Sequence, residues 1–427
     1  MPSTTSLPGF RDFYPAELSV RNHITNAWRE ASRRYGFEEY DGPPLESLDL
    51  YVEKSGQEIV AQLYNFEDKG GRAVALRPEM TPSLARMVGA RAGGLRKPIR
   101  WFSIPQLFRY ERTQRGRLRE HFQWNADILG EHDIGADAEV LAVALDALRT
   151  LGLGPHDIVA RFNDRRLLEK LLGHAGVAQD HLGRAYAAVD KLGREPEEKV
   201  RQRLGQVGMD ARGIDRVFSM FRMHELDELR RDFAGVTGIE QEIVRLDAYT
   251  RHLTGLGFGE FIAFDPTIVR GLAYYTGTVF EIFDRKGELR AICGGGRYDD
   301  LLKALSGTDL PAVGFGMGDV VIAELLRERG LLPEYRPSVD YFVVAFSEAE
   351  EPLQRRIARG LRARGSSVLY GLKRAGMGKQ FKEADARGAR QVIVLGPEEV
   401  ASGVALIREM KTGEERRVRL EELGAET

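Results

Sequence analysis

The chain has 427 residues, with 62 Lys plus Arg against 64 Asp plus Glu and a formal charge of −2. An apolar fraction of 43% and a charged fraction of 30% describe a globular chain of about two or three domains, and exclude collagen-like, disulfide-framework and wholly disordered classes. A charge near zero also excludes a uniformly basic nucleic-acid coat, but leaves room for a local basic face. Apolar runs such as Val320 to Ala323 fall far short of the ~20 residues of a membrane span. The opening Met1 to Ser6 lacks the basic-then-apolar pattern of a secretory signal. The single cysteine, Cys293, cannot form an internal disulfide, and a reducing cytoplasm is the expected location.

In chain order, the first element is a helix starting near Pro15, with Ile24, Ala27, Trp28, Ala31 and Tyr35 on one face. Gly36 and the Gly42-Pro43-Pro44 break end it. Strand-like segments follow at Ile99 to Glu111 and His121 to Leu129. Residues 131 to 258 look helical, with Leu167, Leu168, Leu171 and Leu172 at helical spacing and few strand signals. From 259 to 330 the pattern returns to β, with glycine clusters at Gly294 to Gly296 and Gly314 to Gly318, and closes on a helix, Val320 to Glu328. Residues 330–337 read as a linker. Beyond it, strands at 341–346, 367–370 and 391–395 alternate with helices, which predicts a small α/β domain over 338–427.

The strongest local signal is a pair of strands around a basic loop. Read as one strand, Gln106 to Glu111 puts Arg109 and Glu111 on one face. The loop Thr113 to Arg119 holds three arginines. The next strand puts Gln123, Asn125 and Asp127 on one face, and Phe122, Trp124, Ala126 and Ile128 on the other. Two polar faces can then line a pocket suited to polyphosphate, because guanidinium groups contact phosphate bidentately and stay charged. A solvent-facing hairpin with ordinary surface charges fits the same pattern.

In Leu76-Arg-Pro-Glu-Met-Thr81, Glu79 and Thr81 sit beyond a strand end, where they can bind a ligand ammonium or simply cap a helix. In Val269 to Glu281, Arg270 stands beside Tyr274 and Tyr275, whose rings suit either a pocket or a core. The glycine strings lack the context of a dinucleotide fingerprint. The eight histidines and one cysteine give no metal-ligand spacing, so no protein-held metal is expected.

Taken in order, these segments resemble the class II aminoacyl-tRNA synthetases, and within them the histidyl-tRNA synthetase family. Leu7-Pro-Gly-Phe-Arg-Asp-Phe-Tyr-Pro15 and its helix are similar to the family opening and first class motif, Phe108-Arg-Tyr-Glu-Arg112 to the second, and Ala312 to Gly318 to the third. Ile268 to Tyr275 and Gly295-Gly-Arg-Tyr-Asp299 resemble the two histidine-specific motifs. The resemblance implies an α+β catalytic domain over 1–329, with a mainly antiparallel sheet flanked by helices and a helical insertion at about 165–255. It also implies an anticodon-binding α/β domain over 338–427.

It further implies ATP-dependent ligation of L-histidine to tRNA(His) through histidyl-adenylate, by a homodimer, with Mg²⁺ accompanying ATP. Arg109 and Arg270 are the expected catalytic cations on the α-phosphate. Glu111 and Arg117 complete the ATP site. Glu79, Thr81, Gln123, Asp127, Tyr274 and Tyr275 are the expected histidine contacts. Two positions depart from the family pattern: Val321 stands where a third-motif arginine is usual, and Ala273 where an aspartate is common. The competing readings are a catalytically silent paralogue, either a regulatory subunit of ATP phosphoribosyltransferase or a tRNA-binding protein. Retention of Arg109, Arg117 and Arg270 and a full C-terminal block argue against the regulatory subunit, and tRNA affinity without adenylate formation would mark the tRNA-binding protein.

Overall fold

The structure, a computed structural model, describes residues 4–55, 57–192, 195–269 and 274–424. Arg270 and Ala273 therefore lie outside the described residues, as do 271 and 272. The chain divides into two compact units, Met1–Pro333 and Glu334–Thr427.

The first unit opens with α1 (Pro15–Arg34), which has proline in its first turn and Arg33 and Arg34 in its last, both favourable placements. Its buried face is Ile24, Ala27, Trp28 and Ala31. Then come β1 (Glu38–Glu39), β2 (Leu45–Ser47), α2 (Leu48–Ser55), β3 (Asn65–Glu67), β4 (Ala73–Leu76) and α3 (Thr81–Arg91). The polar-faced hairpin is β5 (Ile99–Ser103), β6 (Gln106–Phe108) and β7 (Glu120–Leu129), followed by α4 (Ile134–Thr150). Asp133 caps α4 by accepting from the Gly135 amide at 2.7 Å. Next are β8 (Ile158–Asp164) and the helices α5 (Arg165–His174), α6 (Leu182–Val189), α7 (Glu197–Gln206), α8 (Ala211–Met220), α9 (Leu226–Asp232) and α10 (Thr237–Gly255). The unit closes with β9 (Ile262–Phe264), β10 (Thr278–Asp284), β11 (Cys293–Arg297), α11 (Leu301–Ser306), β12 (Ala312–Gly318) and α12 (Asp319–Glu328).

Among the described residues the central sheet runs β1-β5-β7-β12-β11-β10-β8-β9, with β6 also on β7. From β5 through β8 every pairing is antiparallel, and parallel pairs occur only at the two ends, β1 with β5 and β8 with β9. Helices α1, α4 and α12 cover one face. There Trp28 stacks on Trp124 at 6.0 Å between ring centroids, and Trp124 meets the Phe315 edge at 4.8 Å. The helices after β8 share this core: Leu167, Leu171, Val217 and Leu246 belong to the same buried cluster.

Two strand expectations need correction. The block read as helical holds β8, inside the central sheet. Both of its faces are largely buried, so it shows no alternation to recognise. The strand read as Gln106 to Glu111 stops at Phe108, and Arg109 to Glu111 continue without ladder pairing.

In the second unit, β13 (Val339–Ala345), α13 (Glu351–Ala363), β14 (Val368–Tyr370), α14 (Met377–Ala386), β15 (Ala389–Leu395), α15 (Pro397–Ala401), β16 (Val404–Glu409) and β17 (Glu415–Arg419) form an α/β domain. Its sheet order is β14-β13-β15-β16-β17, parallel over the first three and antiparallel over the last two. Leu353, Ile357 and Leu361 of α13 pack on one face, and Ala384 of α14 on the other. The chain is therefore an α+β unit with a helical segment, followed by a small α/β unit.

Candidate active site

The open face of the central sheet borders a cavity of about 990 Å³. Strand β7 supplies its long wall. His121, Gln123, Asn125 and Asp127 line the cavity, while Trp124, Ala126 and Ile128 enter the core behind. His121 and Asp127 are six residues apart on one strand, which spans about 20 Å at the usual rise. The cavity is therefore elongated, and its two ends carry different chemistry.

At the Asp127 end, the Tyr298 hydroxyl donates to Asp127 Oδ1. Tyr274 and Tyr275 lie beside it, their rings 4.4 Å apart, and Tyr274 meets Tyr298 at 6.3 Å. Burial raises the Tyr298 phenol well above its ordinary value, and the Asp127 charge adds to that. Burial does the same to Tyr275, reinforced by Tyr274. Both phenols therefore stay protonated and able to donate. Glu79 and Thr81 also line the cavity, where β4 gives way to α3. Met80 is the cap residue of α3 and makes no side-chain capping bond.

At the other end, Arg109 Nε donates to the Pro78 carbonyl at 2.9 Å, which fixes its guanidinium at the cavity wall. Arg117 forms an ion pair with Glu111. The other two loop arginines turn away. Arg115 pairs with Glu324 and Glu328 of α12, the latter at 2.6 Å, and Arg119 lies over the Tyr110 ring at 4.5 Å. So the loop contributes Arg117 alone of its three arginines to the cavity lining. His121 is pushed down to about 3 by burial, and by Arg109, Arg11 and Arg117, so its imidazole is neutral.

The floor is built from glycine. Gly294, Gly295, Gly314, Gly316 and Gly318 line the cavity from β11 and β12. A Cβ on Gly314 or Gly316 would strike the side chains of Asp127 and Gln123 across the β7 pairing. The sequence singled out the glycines but not this reason for them.

Two salt-bridged groups hold the walls in place. Arg297, fully buried, places its Nε 3.0 Å from both carboxylate oxygens of Asp137 on α4, and its Nη1 3.1 Å from Asp299 Oδ1, which fixes the backbone on either side of Tyr298. Arg11 donates to Glu120 Oε1 at 2.6 Å and to Asp319 Oδ2 at 2.9 Å. Asp319 Oδ1 in turn accepts the Phe122 amide at 3.0 Å.

The structure thus brings together Glu79, Thr81, Arg109, Glu111, Arg117, Gln123, Asp127, Tyr274 and Tyr275 around one cavity. Sequence reasoning placed Asn125 on the pocket face but missed His121, Tyr298 and Arg290, which line the cavity too. Tyr298 was within reach of the quoted motifs. Nothing local marked Arg290, which lies on an exposed connection. Cys293 lines the cavity as well, but burial and the nearby Glu281 charge push its thiol well up, which makes it a poor nucleophile. Among the described residues no group of three His, Cys, Asp or Glu side chains is placed to hold a metal ion, and no helix is long and apolar enough to cross a membrane.

Comparison with known proteins gives the family and the fold. The family model described as histidyl-tRNA synthetase matches residues 9–318, and an anticodon binding domain model matches 340–426. A histidine–tRNA ligase from Opitutus terrae is 45% identical, with 100% of this chain and 98% of the relative covered. The chloroplastic/mitochondrial histidine–tRNA ligase of Arabidopsis thaliana is 41% identical over 97% of this chain and 85% of the relative. The crystal structure of histidyl-tRNA synthetase from Nostoc sp. PCC 7120 shares the fold at a TM-score of 0.82, with 24% identity and 99% of both chains covered. The chain belongs to the histidyl-tRNA synthetase family.

Proposed function

We propose that this cavity is where the chain activates L-histidine with ATP before transferring it to tRNA(His). The chain is a histidine–tRNA ligase. In the first step a carboxylate oxygen of histidine attacks the α-phosphorus of ATP, the bond to the β-phosphate oxygen breaks, and pyrophosphate leaves. In the second, a hydroxyl of the terminal tRNA ribose attacks the activated carbonyl and AMP leaves.

The observation that carries this reading is the polarity of the cavity: an arginine end and a tyrosine–carboxylate end on one strand. Arg109 holds the α-phosphate and Arg117 the outer phosphates, with Glu111 steering Arg117. Arg270 adds a second cation on the α-phosphate, a role that rests on its sequence motif. Charge that builds on phosphate in the transition state is stabilised by donors already in place. Glu79 and Thr81 accept from the histidine ammonium. Asp127 accepts from one imidazole nitrogen and a Tyr275 hydroxyl donates to the other, while Gln123 and Tyr274 close the sides. A site with matched donor and acceptor rejects side chains that leave either unpaired. ATP arrives as its magnesium complex. An ion bound mainly by phosphate oxygens and water asks little of the protein.

In this reading residues 1–329 catalyse, with 165–255 as an insertion, 330–337 connect, and 338–427 read the anticodon. A homodimer is what the resemblance of Leu7 to Pro15 and α1 to the first class motif implies. A lone buried cysteine suits the cytoplasm. The test is pyrophosphate exchange into ATP by the purified protein. Exchange that requires histidine, and that no other amino acid supports, is the expected result. A silent regulator would show none.

A further inference from the structure

Val321, on the first turn of α12, lines the nucleotide end of the cavity and carries no charge. A second side chain reaches the same place from a different element. Arg290 sits on the connection between β10 and β11 and lines the cavity beside Leu289. The two flank one point on the basic loop: a Cβ on Gly116 would lie 3.4 Å from Val321 Cγ2 and 3.8 Å from Arg290 Cδ.

Gly116 belongs to a tight turn in which the Gln114 amide donates to the Arg117 carbonyl at 3.0 Å and the Arg117 amide donates back at 2.9 Å. Its φ of +71° favours glycine, which leaves the turn without a side chain between the two residues. Arg290 Nη2 donates to the Gln114 side-chain oxygen, so the guanidinium lies against the turn that carries Arg117. The neighbouring carboxylate Glu324 is already engaged by Arg115. Arg290 is exposed, with an end free to change partner when an anion enters.

We propose that Arg290 is a nucleotide-binding residue that contacts the outer phosphates of ATP, supplying from the β10–β11 connection the cation that the first turn of α12 lacks at Val321. The placement beside the Arg117 turn gives two guanidiniums from separate elements on one polyphosphate, the arrangement that bidentate donors serve best. This rests on the adenylation reading of the cavity.

The test is R290A, R290K and Q114A measured by histidine-dependent pyrophosphate exchange, with binding of a sulfamoyl analogue of histidyl-adenylate, which lacks the outer phosphates. R290A should raise KM for both ATP and pyrophosphate by tenfold or more. KM for histidine and affinity for the analogue should stay within about twofold of wild type. R290K should recover part of the loss, and Q114A should stay near wild type. Unchanged KM for ATP and pyrophosphate in R290A would overturn the proposal. So would weakened analogue binding, which would place Arg290 on the adenosine, or a Q114A defect equal to that of R290A, which would reduce it to a loop anchor. Absence of exchange in the wild-type protein would instead sink the adenylation reading itself.

Discussion

A Cβ atom on Gly314 would lie 1.8 Å from Oδ1 of Asp127, so the strand facing this carboxylate has to be bare. The two residues are paired across β12 and β7, and the same carboxylate oxygen accepts the Tyr298 hydroxyl. G314A must therefore displace Asp127 or spread the strands. Misplacement of this order costs roughly 10²-fold in kcat/KM for histidine. KM for ATP should change far less, because the nucleotide end lies further along β7. Exchange kinetics with each substrate varied in turn make the check; equal losses for both substrates would contradict the division of the cavity.

Arg109 is fixed by its bond to the Pro78 carbonyl and should act mainly in the transition state. R109Q, which removes the cation but keeps a planar amide, is expected to lower the exchange rate on the order of 10²–10³-fold, the scale of losing one preorganised donor. R270Q should do likewise. Single-turnover adenylate formation reads the chemical step directly, and a normal rate in either variant would remove that residue from the role assigned to it.

Arg297 and Asp137 form a fully buried pair behind Tyr298. Removing the cation alone strands a buried carboxylate, which costs about 3–5 kcal/mol. R297M should lower the thermal midpoint of the catalytic unit by roughly 5 °C. Replacing both partners with apolar residues should recover part of the loss, because the buried Asp137 charge leaves with its partner while Asp299 still loses one. Calorimetry of the single and double variants decides it.

His121 gives a pH dependence with a definite sign. Its folded value, about 3, lies below the unfolded value near 6.5, so the unfolded chain takes up the proton first. Stability from this group is complete above about pH 6.5 and is lost as pH falls from there toward the folded value. Between pH 7.5 and 5 the half-buried ring should contribute a loss on the order of 1 kcal/mol. H121F should flatten the wild-type slope of midpoint against pH by that amount; an unchanged slope would mean the ring titrates normally.

In the C-terminal unit, Phe346 and Leu372 are 59% and 91% exposed just past the carboxyl ends of the parallel strands β13 and β14, and β13 is the strand from which the chain adds β14 on one side and then β15 on the other. Ligands of open α/β sheets bind at that end, and single-stranded bases stack on apolar and aromatic side chains. F346A with L372A should raise KM for tRNA(His) several-fold and leave histidine-dependent exchange unaltered. Aminoacylation and exchange assays on one preparation separate the two effects.

The parts of the site legible in the sequence were those carried by strict alternation. Gln123, Asn125 and Asp127 could be placed on one face because Trp124 and Ile128 had to go to the other. The α1 and α13 faces followed from helical spacing in the same way. Legibility failed where no period exists. Strand β8 is buried on both sides, and β16 and β17 form an edge hairpin in which charged residues interrupt the pattern. Only the family resemblance singled out Arg117 among Arg115, Arg117 and Arg119, because partners on α12 and the Tyr110 ring decide where the other two go. Arg290 was invisible because its significance depends on a turn far away in sequence.

The clasp of Arg11 on Glu120 and Asp319 joins positions up to 308 residues apart. A ribosome making this chain must therefore release nearly all of the first unit before the wall at Phe122 can be tied down. Until then the growing polypeptide holds a hairpin and half a floor, and it should have no capacity to consume nucleotide.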